Sequence, residues 1–153
     1  MERYVFLKEK NFSRLKADID SIRKKDKDCK IIFFCNDDEI NRQVLEKANI
    51  DILLLSVVGR KDFSKQKNSG LNIVLANIAK KRGIQIGINL DETNSENKKE
   101  KAEILARIIQ NINLCKKKKV QMKFILEKDV KSTPALKSLG LSLGMPTWMT
   151  KNI

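Results

Sequence analysis

Residues 50–58 read Ile-Asp-Ile-Leu-Leu-Leu-Ser-Val-Val, and this run is the strongest indication of the fold class. Its apolar side chains do not alternate with polar ones, which indicates that both faces of the segment are covered. That pattern is typical of a buried strand in a parallel sheet. Four further stretches, at 4–7, 30–35, 84–90 and 120–126, also predict strands.

Each predicted strand is followed by a stretch in which apolar residues recur at helical spacing. The clearest of these helices is predicted to open at Ser69-Gly70 and to stop at Gly83. Its apolar stripe follows the i, i+3, i+4, i+7, i+8 pattern and consists of Leu71, Val74, Leu75, Ile78 and Ala79. Strand and helix alternate about five times, which predicts right-handed crossovers and a parallel sheet in a single α/β domain over residues 1–153.

Two architectures fit this order of elements: a doubly wound open sheet and a section of a (β/α) barrel. A complete eight-unit barrel typically takes about 250 residues, and the chain has 153. The barrel alternative is therefore an incomplete or truncated TIM-barrel-like fold. In both architectures the functional loops follow the carboxyl ends of the strands.

The composition excludes several classes of enzyme. The chain has no histidine, which removes the Ser-His-Asp triad, His-ligated zinc and imidazole acid–base chemistry. Its three cysteines, Cys29, Cys35 and Cys115, have the spacing of neither a zinc site nor a disulfide framework. We expect them to be reduced core thiols of a cytoplasmic protein. No apolar stretch approaches the length of a membrane span.

The charge of the chain points to a polyanion. Lysine and arginine number 32 against 19 aspartates and glutamates, a net charge of +13. A folded basic domain favours a nucleic-acid partner; the alternative is a merely solubilising surface. Residues 98–153 alone hold 13 basic and 4 acidic side chains, a net of +9.

The contact candidates in this last third form one run and two later positions. The lysine run is Lys116, Lys117, Lys118 and Lys119, and the later positions are Lys128 and Lys131. A charge run after a helix is also typical of a solvated last turn, and that alternative stays open. Aromatic residues are few, so phosphate contacts are predicted in preference to stacking platforms.

The basic loop, residues 59–68, follows the strongest predicted strand. Its cations are Arg60, Lys61, Lys65 and Lys67, against one acid, Asp62. It leads into the predicted helix start at Ser69-Gly70, where free N–H groups flanked by cations would bind a phosphate. The glycine spacing of a P-loop is missing. The alternative is a solvated loop in which Ser69 or Asn68 only caps the helix.

The acidic residues predict no metal or catalytic site. Asp91, Glu92 and Glu96 form the main cluster beyond a strand. Metal sites need convergent ligands, and the sequence shows no such set, so solvated loop acids are the better interpretation. We therefore predict no catalytic residue, no metal ligand and no cofactor bound by the protein itself.

Three neighbouring stretches carry a family resemblance. Residues 51–56 read Asp-Ile-Leu-Leu-Leu-Ser, residues 59–62 read Gly-Arg-Lys-Asp, and residues 69–76 read Ser-Gly-Leu-Asn-Ile-Val-Leu-Ala. Together they resemble the archaeal ribonuclease P protein component 3, a barrel-like subunit of the tRNA-processing ribonucleoprotein. Asn89-Leu90 and the Lys-Ser-Thr-Pro-Ala-Leu stretch at 131–136 extend the resemblance.

The chain also departs from this family. Ile73 stands at the usual histidine position, and residues 63–68 look like an insertion. The opening strand of the family and its acidic motif find no match, so the resemblance implies a barrel that lacks its first units.

The resemblance implies an accessory role in the maturation of tRNA 5′ ends. In this family the RNA subunit carries out the phosphodiester chemistry, and the protein pairs with a small α/β protein subunit. The implied partners are ribonuclease P RNA, that small subunit and, indirectly, pre-tRNA. The protein is expected to be non-catalytic by itself, with Mg²⁺ serving the RNA-based holoenzyme.

Two other functions stay open on the residues alone. One is a small phosphate-handling α/β enzyme that uses Asp62 or Asp91 as its base. The other is a general RNA-binding or ribosome-associated module, which would bind any duplex RNA with similar affinity.

Overall fold

The computed structural model describes residues 2–128 and 131–153, which contain five strands, six α-helices and one short 3-10 helix at Leu90–Asn94. The strands are β1 (Tyr4–Leu7), β2 (Lys30–Phe34), β3 (Ile52–Leu55), β4 (Gln85–Asn89) and β5 (Met122–Ile125). The helices are α1 (Phe12–Lys25), α2 (Asp38–Lys47), α3 (Ile73–Arg82), α4 (Lys98–Lys118), α5 (Thr133–Ser142) and α6 (Thr147–Thr150). Each of the five stretches predicted as strands contains one of these strands. Helix α6 was not predicted.

The sheet is parallel throughout, and its strands lie side by side in chain order. One row of paired residues crosses all five strands and consists of Leu7, Phe33, Leu53, Ile86 and Met122. Right-handed crossovers between sequential neighbours place every connecting helix on the same face of the sheet. A doubly wound sheet would reverse its strand order at a switch point. The predicted partial TIM-barrel-like fold is therefore confirmed.

The main hydrophobic core lies between the sheet and the helices. It includes the central residues of the row just described, Phe33, Leu53 and Ile86, which are fully buried. Helix α4 covers this face with Ile108 and Ile112, which lie one turn apart on the helix and are also buried. The core thus fixes the position of α4 behind the sheet.

The opposite face of the sheet carries a smaller core, made of Ile32, Ile52, Leu54 and Ile125. Curling of the sheet shields this face. The ammonium of Lys123 on β5 donates a hydrogen bond of 2.8 Å to the hydroxyl of Tyr4 on β1. In a flat sheet these edge strands would lie about 19 Å apart, four strand spacings. The two side chains meet because the sheet bends toward a barrel.

Gly87 on β4 allows close packing on the inner face of the sheet. A Cβ atom there would come within 3.0 Å of the Ile52 side chain and 3.1 Å of the Leu54 side chain. Such contacts are tighter than nine in ten real Cβ contacts, so these side chains would have to shift by a few tenths of an ångström to admit a larger residue. The glycine therefore contributes to the close packing inside the curl.

The three cysteines are free and buried. Burial raises the pKa of the Cys115 thiol to about 12, so this group stays in its unreactive thiol form at neutral pH. In the part of the chain that the structure describes, no helix combines the length and apolar character that crossing a membrane requires.

Candidate nucleic-acid interface

Arg107 on α4 holds the basic loop against the body of the protein. Its side chain is only 4% exposed. One guanidinium nitrogen donates to the carbonyl of Val57 at 3.1 Å, and the other donates to the carbonyl of Arg60 at 2.8 Å and to Asp62 Oδ1 at 3.0 Å. A buried, charge-assisted network of this kind fixes the loop backbone strongly.

Two amide side chains continue this attachment along α4. Gln110 donates to the carbonyl of Lys67 at 3.0 Å, and the buried Asn111 donates to the carbonyl of Ser69 at 3.1 Å. The basic loop is therefore tied to one helix near its start, its middle and its end. Its surface lysines project from a fixed backbone.

Arg60 is used inside the protein. Its side chain is 10% exposed and donates to both carboxylate oxygens of Asp38 at 3.0 Å and to the carbonyl of Ser56. It also packs so closely over Gly70 that a Cβ there would lie 2.5 Å from the guanidinium. The other predicted cations of the loop, Lys61, Lys65 and Lys67, are exposed. The Lys67 ammonium lies 3.8 Å from Asp62 Oδ2, at the limit of an ion pair.

The predicted helix start and helix N-cap at Ser69-Gly70 are wrong, and the anion site predicted there loses the helix end on which it was based. Helix α3 begins at Ile73, and the side chain of Asn72 caps it by accepting from the Leu75 N–H at 2.9 Å. Gly70 has a φ of +78°, which cannot belong to a right-handed helix. Ser69 is buried, and its hydroxyl lies 3.4 Å from the carbonyl of Leu71.

The carboxylates near the basic loop accept hydrogen bonds that hold neighbouring segments of the chain in place. Glu92 accepts from the Ser56 hydroxyl at 2.6 Å and from the Val57 N–H at 3.0 Å. Burial raises the pKa of Glu92, and these two hydrogen bonds oppose the shift. The Asn68 N–H, followed by Arg107, lowers the pKa of Asp62.

Asp91 plays a similar structural part after β4. Its Oδ2 accepts from the backbone N–H groups of Glu127 at 2.8 Å and Lys128 at 3.3 Å, which joins the loops after β4 and β5. Within residues 2–128 and 131–153, no three His, Cys, Asp or Glu side chains are grouped so that they could hold a metal ion.

The structure separates the predicted lysines into two regions. The basic loop follows β3 and Lys128 follows β5, so both lie at the carboxyl edge of the parallel sheet. The lysine run ends α4 and precedes β5, which places it at the amino edge. Helix α4 spans 21 residues, or about 30 Å. Lys131 is exposed beside α5, and Asp129 and Val130, which precede it, lie outside the described residues.

Sequence reasoning missed Arg107 and Asn111. Both are buried, at 3% and 4% exposure, and both lie on the apolar stripe of α4 with Ile104, Ile108 and Ile112. The available signal was their spacing, since a polar pair at i and i+4 within a buried stripe must find partners in the protein.

Comparison with known proteins gives a consistent result. No family model matches the chain. Over 114 residues it is 32% identical to Ribonuclease P protein component 3 of Thermococcus kodakarensis, covering 71% of this chain and 48% of that protein. The chain is related to ribonuclease P protein component 3. The resemblance predicted from residues 51–76 is confirmed, and the chain spans about half the length of this curated relative.

A solved structure extends the similarity to almost the whole chain. One chain of the cryo-EM structure of archaeal Ribonuclease P with mature tRNA matches it with a TM-score of 0.79 and 26% sequence identity. The match covers 97% of this chain and 62% of that chain. The five-stranded curled sheet is therefore an arrangement that also occurs within a ribonuclease P assembly.

Proposed function

We propose that the chain is a non-catalytic protein subunit of a ribonuclease P that supports a catalytic RNA in the maturation of tRNA 5′ ends. The observation that carries this proposal is the similarity to ribonuclease P protein component 3, in sequence over 71% of the chain. The structural match to a chain from an archaeal ribonuclease P supports it.

The proposed partners are ribonuclease P RNA, a small α/β protein subunit and, indirectly, pre-tRNA. The carboxyl edge of the sheet supports RNA binding, because it presents exposed lysines from the fixed basic loop, with Lys128 after β5. The chemistry and the Mg²⁺ belong to the RNA in this proposal, and the protein supplies cations that offset phosphate repulsion.

The geometry does not favour the alternative of a phosphate-handling enzyme. Asp62 and Asp91 were its candidate bases, and each accepts two hydrogen bonds that hold loops together. The lowered pKa of Asp62 also makes it a weaker proton acceptor.

Reconstitution tests the proposal. Pre-tRNA cleavage is measured with an archaeal ribonuclease P RNA and its small α/β protein subunit, with and without this chain, over a range of Mg²⁺ concentrations. We expect the chain to raise the cleavage rate at low Mg²⁺. An unchanged rate and an unchanged Mg²⁺ requirement would contradict the proposal, whereas turnover of a phosphoester by the RNA-free chain would support the enzyme alternative.

A further inference from the structure

Phe63 is an exposed aromatic ring within the basic loop. It is 59% exposed, the highest value among the large hydrophobic side chains that the structure describes. Its N–H donates to the carbonyl of Gln66 at 3.0 Å, which closes a tight turn beneath it. Exposure of a phenyl ring to water is unfavourable. Contact with the apolar or aromatic surface of a partner would therefore be favourable at this position.

The backbone that carries the ring is fixed. The preceding residue, Asp62, accepts from the buried Arg107 at 3.0 Å and from the Asn68 N–H at 2.8 Å. The residue after the turn, Lys67, is held by Gln110 through its carbonyl. A ring presented on such a backbone loses little conformational entropy when it binds.

The charges around the ring identify the class of partner. Lys61 and Lys65 lie two positions before and two positions after Phe63, and Lys67 follows; all three are exposed. A ring among cations matches a ligand that offers phosphates together with flat aromatic faces. Nucleic acid has both. Bases inside an RNA duplex are stacked and covered, so the ring can stack only on an unpaired base.

We propose that Phe63 stacks on an unpaired RNA base while the neighbouring lysines contact the flanking phosphates. This inference rests on the proposed function and sharpens it, since it assigns to the basic loop a preference for loops or bulges over continuous duplex.

Two RNA probes test it: a fully paired duplex, and the same duplex with one unpaired adenine. Binding of the whole chain is measured by fluorescence anisotropy at one salt concentration. The wild-type chain binds the bulged probe more tightly. We expect F63A and F63L to reduce that preference by a factor of about 5 to 150, which is the effect of losing one stacked base. F63Y should retain the preference, because a phenol ring also stacks.

The leucine variant separates stacking from hydrophobic docking. Leucine keeps the apolar bulk but has no aromatic face, so a wild-type bulge preference in F63L would overturn the proposal. The proposal would also be overturned if F63A lost binding to a protein subunit but kept the preference for the bulged probe. L141A is the matched control, because Leu141 is 51% exposed on α5; it leaves both RNA affinities unchanged.

The outcomes distinguish this inference from the proposed function. If the wild-type chain binds both probes equally and still stimulates pre-tRNA cleavage, the stacking inference fails and the proposed function stands. If the chain neither binds RNA nor stimulates cleavage, both fail.

Discussion

The basic loop and the lysine run each carry four cations, and the structure gives them different settings. The basic loop is tied to α4 by the buried Arg107 and carries an exposed ring at Phe63. The lysine run is the last turn of α4, where cations favourably face the negative end of the helix dipole. A count of charges does not separate the two. The difference lies in what holds each backbone and which edge of the sheet it reaches.

The largest expected effect is on the attachment of the basic loop. Arg107→Met removes donors from two carbonyls and from Asp62, and we expect it to lower the free energy of unfolding by about 3 kcal/mol. Urea denaturation measures this. The matched control is Arg42→Met, because Arg42 is 55% exposed and, among the residues that the structure describes, pairs with Glu46 alone; we expect a much smaller loss from this variant. Equal losses in the two variants would show that the loop is not fixed as described.

The next effect compares the two segments directly. K61Q/K65Q/K67Q and K116Q/K117Q/K118Q each remove three charges, so their net charges stay matched. We expect the loop variant to reduce the slope of log affinity for RNA against log salt by about 2 to 3. The run variant should reduce it by less than about 1. A larger change in the run variant would reverse the assignment of the RNA-binding edge.

The smallest effect lies in the lysine run itself. Lys119 caps the carboxyl end of α4 with a φ of 56°, in the left-handed region that favours glycine. Lys119→Gly should therefore stabilise the protein by about 0.5 to 1 kcal/mol while RNA affinity changes little. Lys117→Gly, two residues earlier inside the helix, should destabilise it by about 1 kcal/mol. Thermal unfolding of both variants measures the pair, and a marked loss of RNA binding in Lys119→Gly would point to a direct contact.

Local patterns predicted most of the elements and few of the contacts. Helix α3 ends at Arg82 and is capped by Gly83, where its pattern predicted the stop, because caps and apolar periods act over a few residues. The start of α3 was predicted three to four residues too early. Gly70 has a left-handed φ of +78°, and Arg60 packs over it, which the local pattern around Ser69 does not reveal.

Composition, periodicity within single elements and short stretches read in order were enough to predict a parallel α/β fold, a chemistry without imidazole and a resemblance to a ribonuclease P protein. Three features required the folded chain: which lysines share an edge of the sheet, how Arg107 holds the basic loop, and the exposure of Phe63. Arg107 and Val57 are 50 residues apart in the chain. Such a contact forms only when α4 packs behind the curled sheet, because burial of the whole apolar stripe brings the arginine to the loop.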